Sequence, residues 1–507
     1  VYADEPESFD LDRGAAEDLA VFEGPRNLFS VLDVSSTILG GRRLHYLLSH
    51  PLKSREAILE RQRATSSMAD STTTRRRLLE ALFPLRSHSF KDIPLLLGLP
   101  VTLAGSTGLL IAAHVLGTLA PVSLVASAFD TGYLSILFLV GVLNLGLIGS
   151  QVRKSNPARD RLLQFAPLLK SLLELERVLS ESQEKAKSDP NWQAISKELS
   201  ALAPDLHRLE KWCSRLELHS YGLLFEVINI LLLWELRILP IAERVFERNR
   251  DGLERAIGAL SEIEALLALS CALAEQEGFR LPEPLESEDP TIQASELGHP
   301  LLENRVVVRN PVSLESENNV LIVTGSNMAG KSTYLKSIGL NVLLAGIGGP
   351  VSAKSFRWTP LRVYSDINVR DSLDDGKSYF QVEVERVLDV IRESESSRCI
   401  LAVFDELFRG TNAEERLYIA RSLLKYLQRS GILLIVATHD NKLTRLVTDE
   451  NTPGMRNSHF RENVDGQTMT FDYRLHEGPT PTRNAIRVLE AAGYPVEITK
   501  GAHDEMN

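Results

Sequence analysis

The 507-residue sequence predicts an α/β phosphate-loop domain at its carboxyl end, preceded by an all-α region that contains a two-helix transmembrane hairpin. Three observations predict this fold class. A glycine-rich loop at residues 325–332 lies between an apolar run and a helix-compatible stretch, residues 93–152 carry a single charge, and residues 155–275 repeat apolar side chains at helical spacing. We expect four parts, at residues 1–90, 91–152, 153–285 and 286–507.

The block of low charge, residues 93–152, has Asp130 as its one charged residue. Its two long apolar stretches, residues 93–119 and 133–148, can each supply with their flanks the ~20 apolar residues that a bilayer span requires. We expect the connection between them at residues 120–130. Soluble core helices rarely run apolar all round for this length, so we favour a transmembrane hairpin over the alternative, a buried helical hairpin.

Basic residues flank the block on both sides. The positive-inside rule therefore places both ends of the hairpin in the cytoplasm and predicts a protein of the inner, cytoplasmic membrane. These basic residues are Arg86, Lys91, Arg153, Lys154, Arg159 and Arg161.

The region after the hairpin reads as long helices, with an apolar face over residues 162–178. A further apolar stretch, residues 222–236, is interrupted by Glu226 and Glu235. We interpret it as a buried core helix, with membrane contact as the alternative.

The loop at residues 325–332 is a complete G-x-x-x-x-G-K-S motif. In this arrangement backbone N–H groups and a helix N-terminus converge on phosphate oxygens, which predicts binding of ATP or GTP. Lys331 would reach the β- and γ-phosphates, and the Ser332 hydroxyl would contact Mg²⁺. The alternative is a glycine-rich turn that binds nothing. The expected nucleotide-binding residues are Gly325, Ser326, Asn327, Met328, Ala329, Gly330, Lys331, Ser332 and Thr333.

Two more apolar runs, residues 399–404 and 431–437, end in polar side chains and are typical of buried parallel strands. Asp405 at the end of the first could hold Mg²⁺, and Glu406 could orient or deprotonate the attacking water. His439 after the second could sense the γ-phosphate. The alternative for His439 is a capping or core histidine.

Around these elements the sequence resembles the MutS family of ATPases. Residues 324–333 are similar to that family's T-G-P-N-M-G-G-K-S-T, residues 405–411 to its D-E-L-G-R-G-T, and residues 437–439 to its A-T-H. Residues 27–33 resemble the start of the family's core domain, and residues 299–302 the entry to its ATPase domain.

Residues 378–383 resemble the family's S-T-F-x-x-E segment. The resemblance implies an ABC-type ATPase that uses ATP and Mg²⁺ and forms a homodimer through its ATPase domains. Lys331, Ser332, Asp405 and Glu406 would act within one chain, and Ser378 would reach the γ-phosphate bound by the partner subunit.

The sequence departs from the family pattern at four positions. Phe408 stands where the family has glycine, Asn412 where serine is usual, and Ala329 where a second glycine is common. Val307 is the nearest equivalent of an aromatic that stacks on adenine in many members. None of these changes removes a catalytic group.

The family's mismatch-recognition motif, Phe-x-Glu, occurs here only at residues 404–406 and 460–462, both inside the expected ATPase domain. We therefore expect no mismatch reader. Any binding of duplex DNA would then show no mismatch preference.

Composition adds two constraints. The chain has 56 Lys and Arg against 67 Asp and Glu, a net charge of −11, whereas a protein that mainly grips duplex DNA usually shows a basic face. Its 3 cysteines indicate neither a disulfide framework nor a metal site and fit a reducing cytosol.

We therefore expect a membrane-anchored, MutS-like ATPase that is DNA-associated and related to mismatch repair by resemblance. The alternative is a membrane ATPase that couples hydrolysis to a protein or envelope process without DNA. An ABC transporter subunit is a weaker alternative, because no L-S-G-G-Q signature precedes Asp405.

Overall fold

The computed structural model describes residues 6–87, 97, 107–181, 189–217, 222–326, 328–367, 379–448, 452–465 and 468–480. The chain divides into two compact units. The helical unit contains Val34–Arg43 and Asp70–Leu267, and the α/β unit contains Asp4–Asp33, Leu44–Ala69 and Ala268–Asn507. The expected four-part division stays a prediction.

The helices follow one another along the first half of the chain and alternate with strands in the second. They are α1 (Arg13–Asp18), α2 (Leu28–Leu32), α3 (Ile38–Ser49), α4 (Arg55–Asp70), α5 (Thr72–Leu82), α6 (Thr107–Ala126), α7 (Tyr133–Glu181), α8 (Pro190–Leu216), α9 (Leu223–Leu232), α10 (Trp234–Arg248), α11 (Arg250–Glu275), α12 (Lys331–Gly346), α13 (Tyr379–Ser394), α14 (Ala413–Ser430) and α15 (Arg445–Thr448), with a 3₁₀ turn at Phe83–Ser87.

All described strands belong to the α/β unit. They are β1 (Phe279–Arg280), β2 (Glu283–Pro284), β3 (Ile292–Leu297), β4 (Asn310–Leu314), β5 (Val320–Thr324), β6 (Val351–Ser352), β7 (Ser355–Trp358), β8 (Arg362–Asp366), β9 (Ile400–Asp405), β10 (Leu433–Thr438), β11 (Met455–Asp465) and β12 (Thr468–Glu477).

The main sheet has six strands in the order β12-β11-β5-β10-β9-β8. Its neighbours from β11 to β8 pair in parallel, and β12 pairs antiparallel with β11 at one edge. Every residue of β5, β9 and β10 is buried, as expected for a parallel sheet covered on both faces. The carboxyl ends of these three strands therefore meet at one edge.

In the helical unit, α6 and α7 form the expected helical hairpin. Their connection is residues 127–132, so the predicted connection at residues 120–130 was wrong, because α6 continues to Ala126 despite Pro121. Helix α7 runs for 49 residues as one helix. The first part of the first predicted span lies outside the described residues, apart from Leu97.

Three described helices are long and apolar enough to cross a membrane by length and composition. They differ in burial: 83% of the apolar window of α11 is buried inside the protein, against 22% for α6 and 11% for Tyr133–Arg153 of α7. Packing in the protein interior therefore accounts for the apolar character of α11. It does not account for that of the hairpin.

The apolar stretch at residues 222–236 differs from the expected single core helix. It is broken at Leu233, whose φ of 47° separates α9 from α10. Phe225 and Asn229 are buried, but Leu223 and Leu224 are 87% and 62% exposed. The prediction of a buried core helix was therefore wrong for the first turns of α9.

Candidate nucleotide-binding site

The glycine-rich loop joins the end of β5 to the start of α12. Gly325 has a φ of 141°, and a Cβ there would lie 2.7 Å from the carbonyl oxygen of Phe460. No other residue fits that position, because the backbone is left-handed and β11 runs alongside. The loop therefore brings the chain directly to the N-terminus of α12, the geometry that binds phosphate groups.

Lys331 extends from the first turn of α12 back across the loop. Its Nζ donates to the carbonyl oxygens of Gly325 at 2.7 Å and Ser326 at 3.0 Å. Burial lowers the pKa of the Lys331 ammonium to about 8, although the Asp405 carboxylate opposes the shift. An anionic ligand bound beside the Lys331 ammonium would stabilise its charged form.

Ser332 and Asp405 meet between α12 and the end of β9. The Ser332 hydroxyl donates to Asp405 Oδ2 at 2.5 Å. A hydroxyl and a carboxylate oxygen are the hard donors that Mg²⁺ takes from protein, so the pair fits this ion. Ser332 and Asp405 would hold the ion, and the ion would supply positive charge beside bound phosphate groups. Among the described residues, no group of three or more His, Cys, Asp and Glu side chains forms a separate metal site.

Glu406 and His439 lie side by side at the ends of β9 and β10. His439 Nε2 is 2.5 Å from Glu406 Oε1, and His439 Nδ1 is 3.4 Å from Lys331 Nζ. Burial and the Lys331 ammonium lower the pKa of His439, which favours the neutral ring. The imidazole thus links the carboxylate to the phosphate-loop lysine, which the sequence alone did not indicate.

Arg409 and Glu383 also belong to the site, although sequence analysis gave them no role. Arg409 Nη2 donates to the carbonyl oxygen of Asp405 at 2.6 Å, and its Nε lies 3.4 Å from Glu406 Oε2. The fully buried Glu383 accepts a hydrogen bond from the backbone N–H of Phe408. Glu383 and Arg409 lie within residues 378–383 and 405–411, which resemble segments of the MutS family. That resemblance could have indicated them as site residues.

The turn after β9 has an unusual backbone. Glu406 and Phe408 have φ angles of 62° and 60°, the left-handed region that favours glycine. Glu406 is anchored by its N–H, which donates to the carbonyl oxygen of Ala437 at 2.9 Å. Phe408 therefore adopts a backbone conformation that suits glycine, the residue at this position in the family pattern that the sequence resembles.

The other predicted site residues are placed as follows. Ala329 is buried, Met328 is 75% exposed, and Thr333 is exposed on the first turn of α12. Val307 lines an open pocket with Phe279 and Arg309. Asn327 and Ser378 lie outside the described residues.

Comparison with known proteins is consistent with this geometry. The model of MutS domain V matches residues 321–507, which include the glycine-rich loop and all of β9 and β10. The model of MutS domain III matches residues 14–274, just over half of the chain.

Three curated relatives carry the name "DNA mismatch repair protein MutS". The chain is 29% identical to that of Shouchella clausii over 279 residues, 52% of this chain and 31% of the relative. It is 29% identical to that of Acetivibrio thermocellus over 323 residues, 61% and 36% of the two chains. It is 30% identical to that of Carboxydothermus hydrogenoformans over 264 residues, which are 51% of this chain and 31% of the relative.

The chain spans about a third of the length of these relatives. Members of the family are ATPases whose domain V is the ATPase domain, and they work as dimers and bind DNA. The resemblance noted in the sequence is thus confirmed over both the helical region and the α/β region. With one family model matching residues 14–274 and a second matching residues 321–507, this chain belongs to the MutS family.

Proposed function

We propose that this protein is a membrane-anchored ATPase that binds and hydrolyses Mg²⁺-ATP. The observation that carries the proposal is the meeting of Lys331, Ser332, Asp405, Glu406 and His439 at the carboxyl edge of the main sheet. Bound phosphates would accept hydrogen bonds from the loop backbone, and the Lys331 ammonium would neutralise their charge.

Glu406 is the group in this site that can act on water. Its carboxylate is a quarter exposed, and His439 and Arg409 hold both of its oxygens in place. It can orient a water molecule toward the γ-phosphate and accept a proton from it. The Asp405 carboxylate contacts Ser332 and Arg409, which suits a role in binding Mg²⁺ rather than in acting on water.

The two roles can be separated by mutation. We expect Glu406→Gln to keep ATP affinity and lose at least about 100-fold in kcat, because only the water loses its base. Lys331→Ala should weaken ATP binding itself. Equilibrium ATP binding and single-turnover hydrolysis measure both, with Glu414→Gln on the exposed first turn of α14 as a control that changes neither. Equal loss of ATP affinity in the Glu406 and Lys331 variants would contradict these roles.

Membrane anchoring is the second part of the proposal, with the protein in the cytoplasmic membrane and its ATPase domain in the cytoplasm. Apolar side chains on both hairpin helices are exposed, for example Val125 at 67%, Phe138 at 75% and Leu139 at 60%. Soluble monomers tolerate contiguous apolar patches of roughly a few hundred Å². Contact with lipid would remove the apolar surface of the hairpin from water.

We propose further that the protein works as a homodimer through its ATPase domains and associates with duplex DNA without mismatch preference. Family membership supports dimerisation and DNA binding, whereas the net charge of −11 favours the alternative, a membrane process without DNA. Duplex binding measured with and without ATP at fixed salt distinguishes them. Tight binding whose affinity falls steeply with salt supports the DNA role, and its absence at low salt supports the alternative.

A further inference from the structure

Helix α9 packs against the proposed membrane hairpin. It contacts both α6 and α7 within the helical unit. Asn144 of α7, which is fully buried, donates from Nδ2 to the carbonyl oxygen of Ile230 at 2.7 Å. On α6, a Cβ at Gly117 would collide with the carbonyl oxygen of Leu232. The carboxyl end of α9 is therefore fixed beside the middle of the hairpin.

The backbone groups freed by the helix break are satisfied by neighbouring protein. Arg237 Nη1 donates to the carbonyl oxygen of Leu232 at 3.4 Å, and the Asn229 side chain accepts from the N–H of Glu235 at 3.0 Å. Non-helical backbone at membrane depth is tolerated where protein groups satisfy its free N–H and C=O groups. These bonds and the Asn144 contact meet that requirement.

The rest of α9 presents apolar side chains outward. Leu223, Leu224 and Val227 are 87%, 62% and 55% exposed. The hairpin beside α9 also exposes apolar side chains. Ten residues of helix span ~15 Å, about half of the hydrocarbon thickness of a bilayer. Apolar segments of this length are core helices or re-entrant or interfacial membrane segments, and the exposure of Leu223, Leu224 and Val227 argues against a core helix.

We propose that α9 is a third membrane-embedded element, a re-entrant half-helix that dips into the bilayer beside the hairpin and contacts lipid acyl chains through Leu223, Leu224 and Val227. This inference rests on the proposed membrane anchoring. Glu226 lies on the same exposed side, in the first turn, where the N–H groups at the helix start stabilise a carboxylate. It limits the depth of insertion, because a charge in the acyl region is costly.

The test uses the full chain in lipid vesicles and an environment-sensitive fluorophore attached to single introduced cysteines. Leu223→Cys places the fluorophore on α9, and Leu139→Cys places it on the hairpin. Arg244→Cys, at an exposed position of α10, is the control for a probe in water. Each is made in a Cys399→Ala background, because Cys213 and Cys271 are buried. Unsubstituted background protein gives the labelling blank.

We expect the probe at position 223 to lose emission in vesicles of brominated lipid to a similar extent as the probe at position 139, while the probe at position 244 is unchanged. Quenching at position 139 but not at 223 overturns this inference and leaves the anchoring intact. Blue-shifted emission at 223 without lipid quenching also overturns it, because protein rather than lipid then covers α9. If neither probe is quenched, the proposed anchoring itself fails.

Discussion

At the scale of single residues, the electrostatics of the site centre on Lys331. Lys331 is a buried residue, and burial lowers the pKa of its ammonium to about 8 from an ordinary 10.5. A phosphate group needs the charged form, so above pH 8 the free protein must take up a proton in order to bind ATP. Below pH 8 the lysine is already charged, and no such dependence arises.

We therefore expect the Kd for ATP to be flat between pH 7 and the pKa of Lys331, and to rise toward about tenfold per pH unit at higher pH. Calorimetric titrations in buffers of different ionisation enthalpy should show proton uptake near pH 8 to 9. Lys331→Arg keeps its charge throughout this range and should remove the dependence, whatever its absolute affinity. A wild-type profile that stays flat to pH 9.5 would contradict the lowered pKa.

Phe408 balances backbone strain against burial. Its φ of 60° costs roughly 1 kcal/mol or more for a residue with a Cβ, whereas its ring is 5% exposed and packs edge-on to Phe380 at 6.5 Å. Truncation of such a ring costs about 3 kcal/mol or more. The contacts of the ring thus outweigh the strain.

Two substitutions separate these terms. Phe408→Ala should lose the ring and keep the strain, whereas Phe408→Gly should lose the ring and relieve the strain. We expect both variants to be less stable than wild type, and the glycine variant to be more stable than the alanine variant by about 1 kcal/mol. Urea unfolding midpoints measure this order. An alanine variant as stable as the glycine variant would contradict a net cost of the left-handed backbone at this position.

At the scale of elements, the hairpin of α6 and α7 is the proposed anchor. Residues 93–152 carry one charge, and most of the described part is exposed. Deletion of residues 93–152, with a flexible linker across the gap, should release a protein that still hydrolyses ATP, because the site is built entirely within the α/β unit. Helix α9 alone is about half the length of a span and should not retain it.

Carbonate extraction measures this prediction. Full-length protein should remain with the membrane pellet and the deletion variant should not, and Lys331→Ala in the full chain should stay in the pellet as a control. Full-length protein that is monodisperse without detergent would disprove the anchoring.

At the scale of the whole molecule, the proposed site is shared between two chains. One chain supplies Lys331, Asp405 and Glu406, and family resemblance assigns Ser378 to the partner's γ-phosphate. Mixing Ser378→Ala subunits with Lys331→Ala subunits should therefore restore hydrolysis, because one of the two sites in each heterodimer has every group. Steady-state ATPase across mixing ratios tests this, and no recovery at any ratio would place the whole reaction in one chain.

The sequence by itself determined much of the site. The glycine-rich loop, the buried strands ending in Asp405 and Thr438, and the long helices were all predicted. Ser332 lies next to Asp405, the other residue predicted to hold Mg²⁺. These features depend on local chemistry and on residue periodicity, which can be read directly from the chain.

The tertiary structure decided what depends on residues distant in the chain. Glu383 reaches Phe408 because helix α13 packs against the sheet. His439 lies between Lys331 and Glu406 because strands far apart in sequence are neighbours in the sheet. The exposure of α9 was likewise missed. A mostly apolar helix of ten residues has the same sequence pattern whether protein or solvent surrounds it. Only the positions of its neighbours show which of its sides is left uncovered.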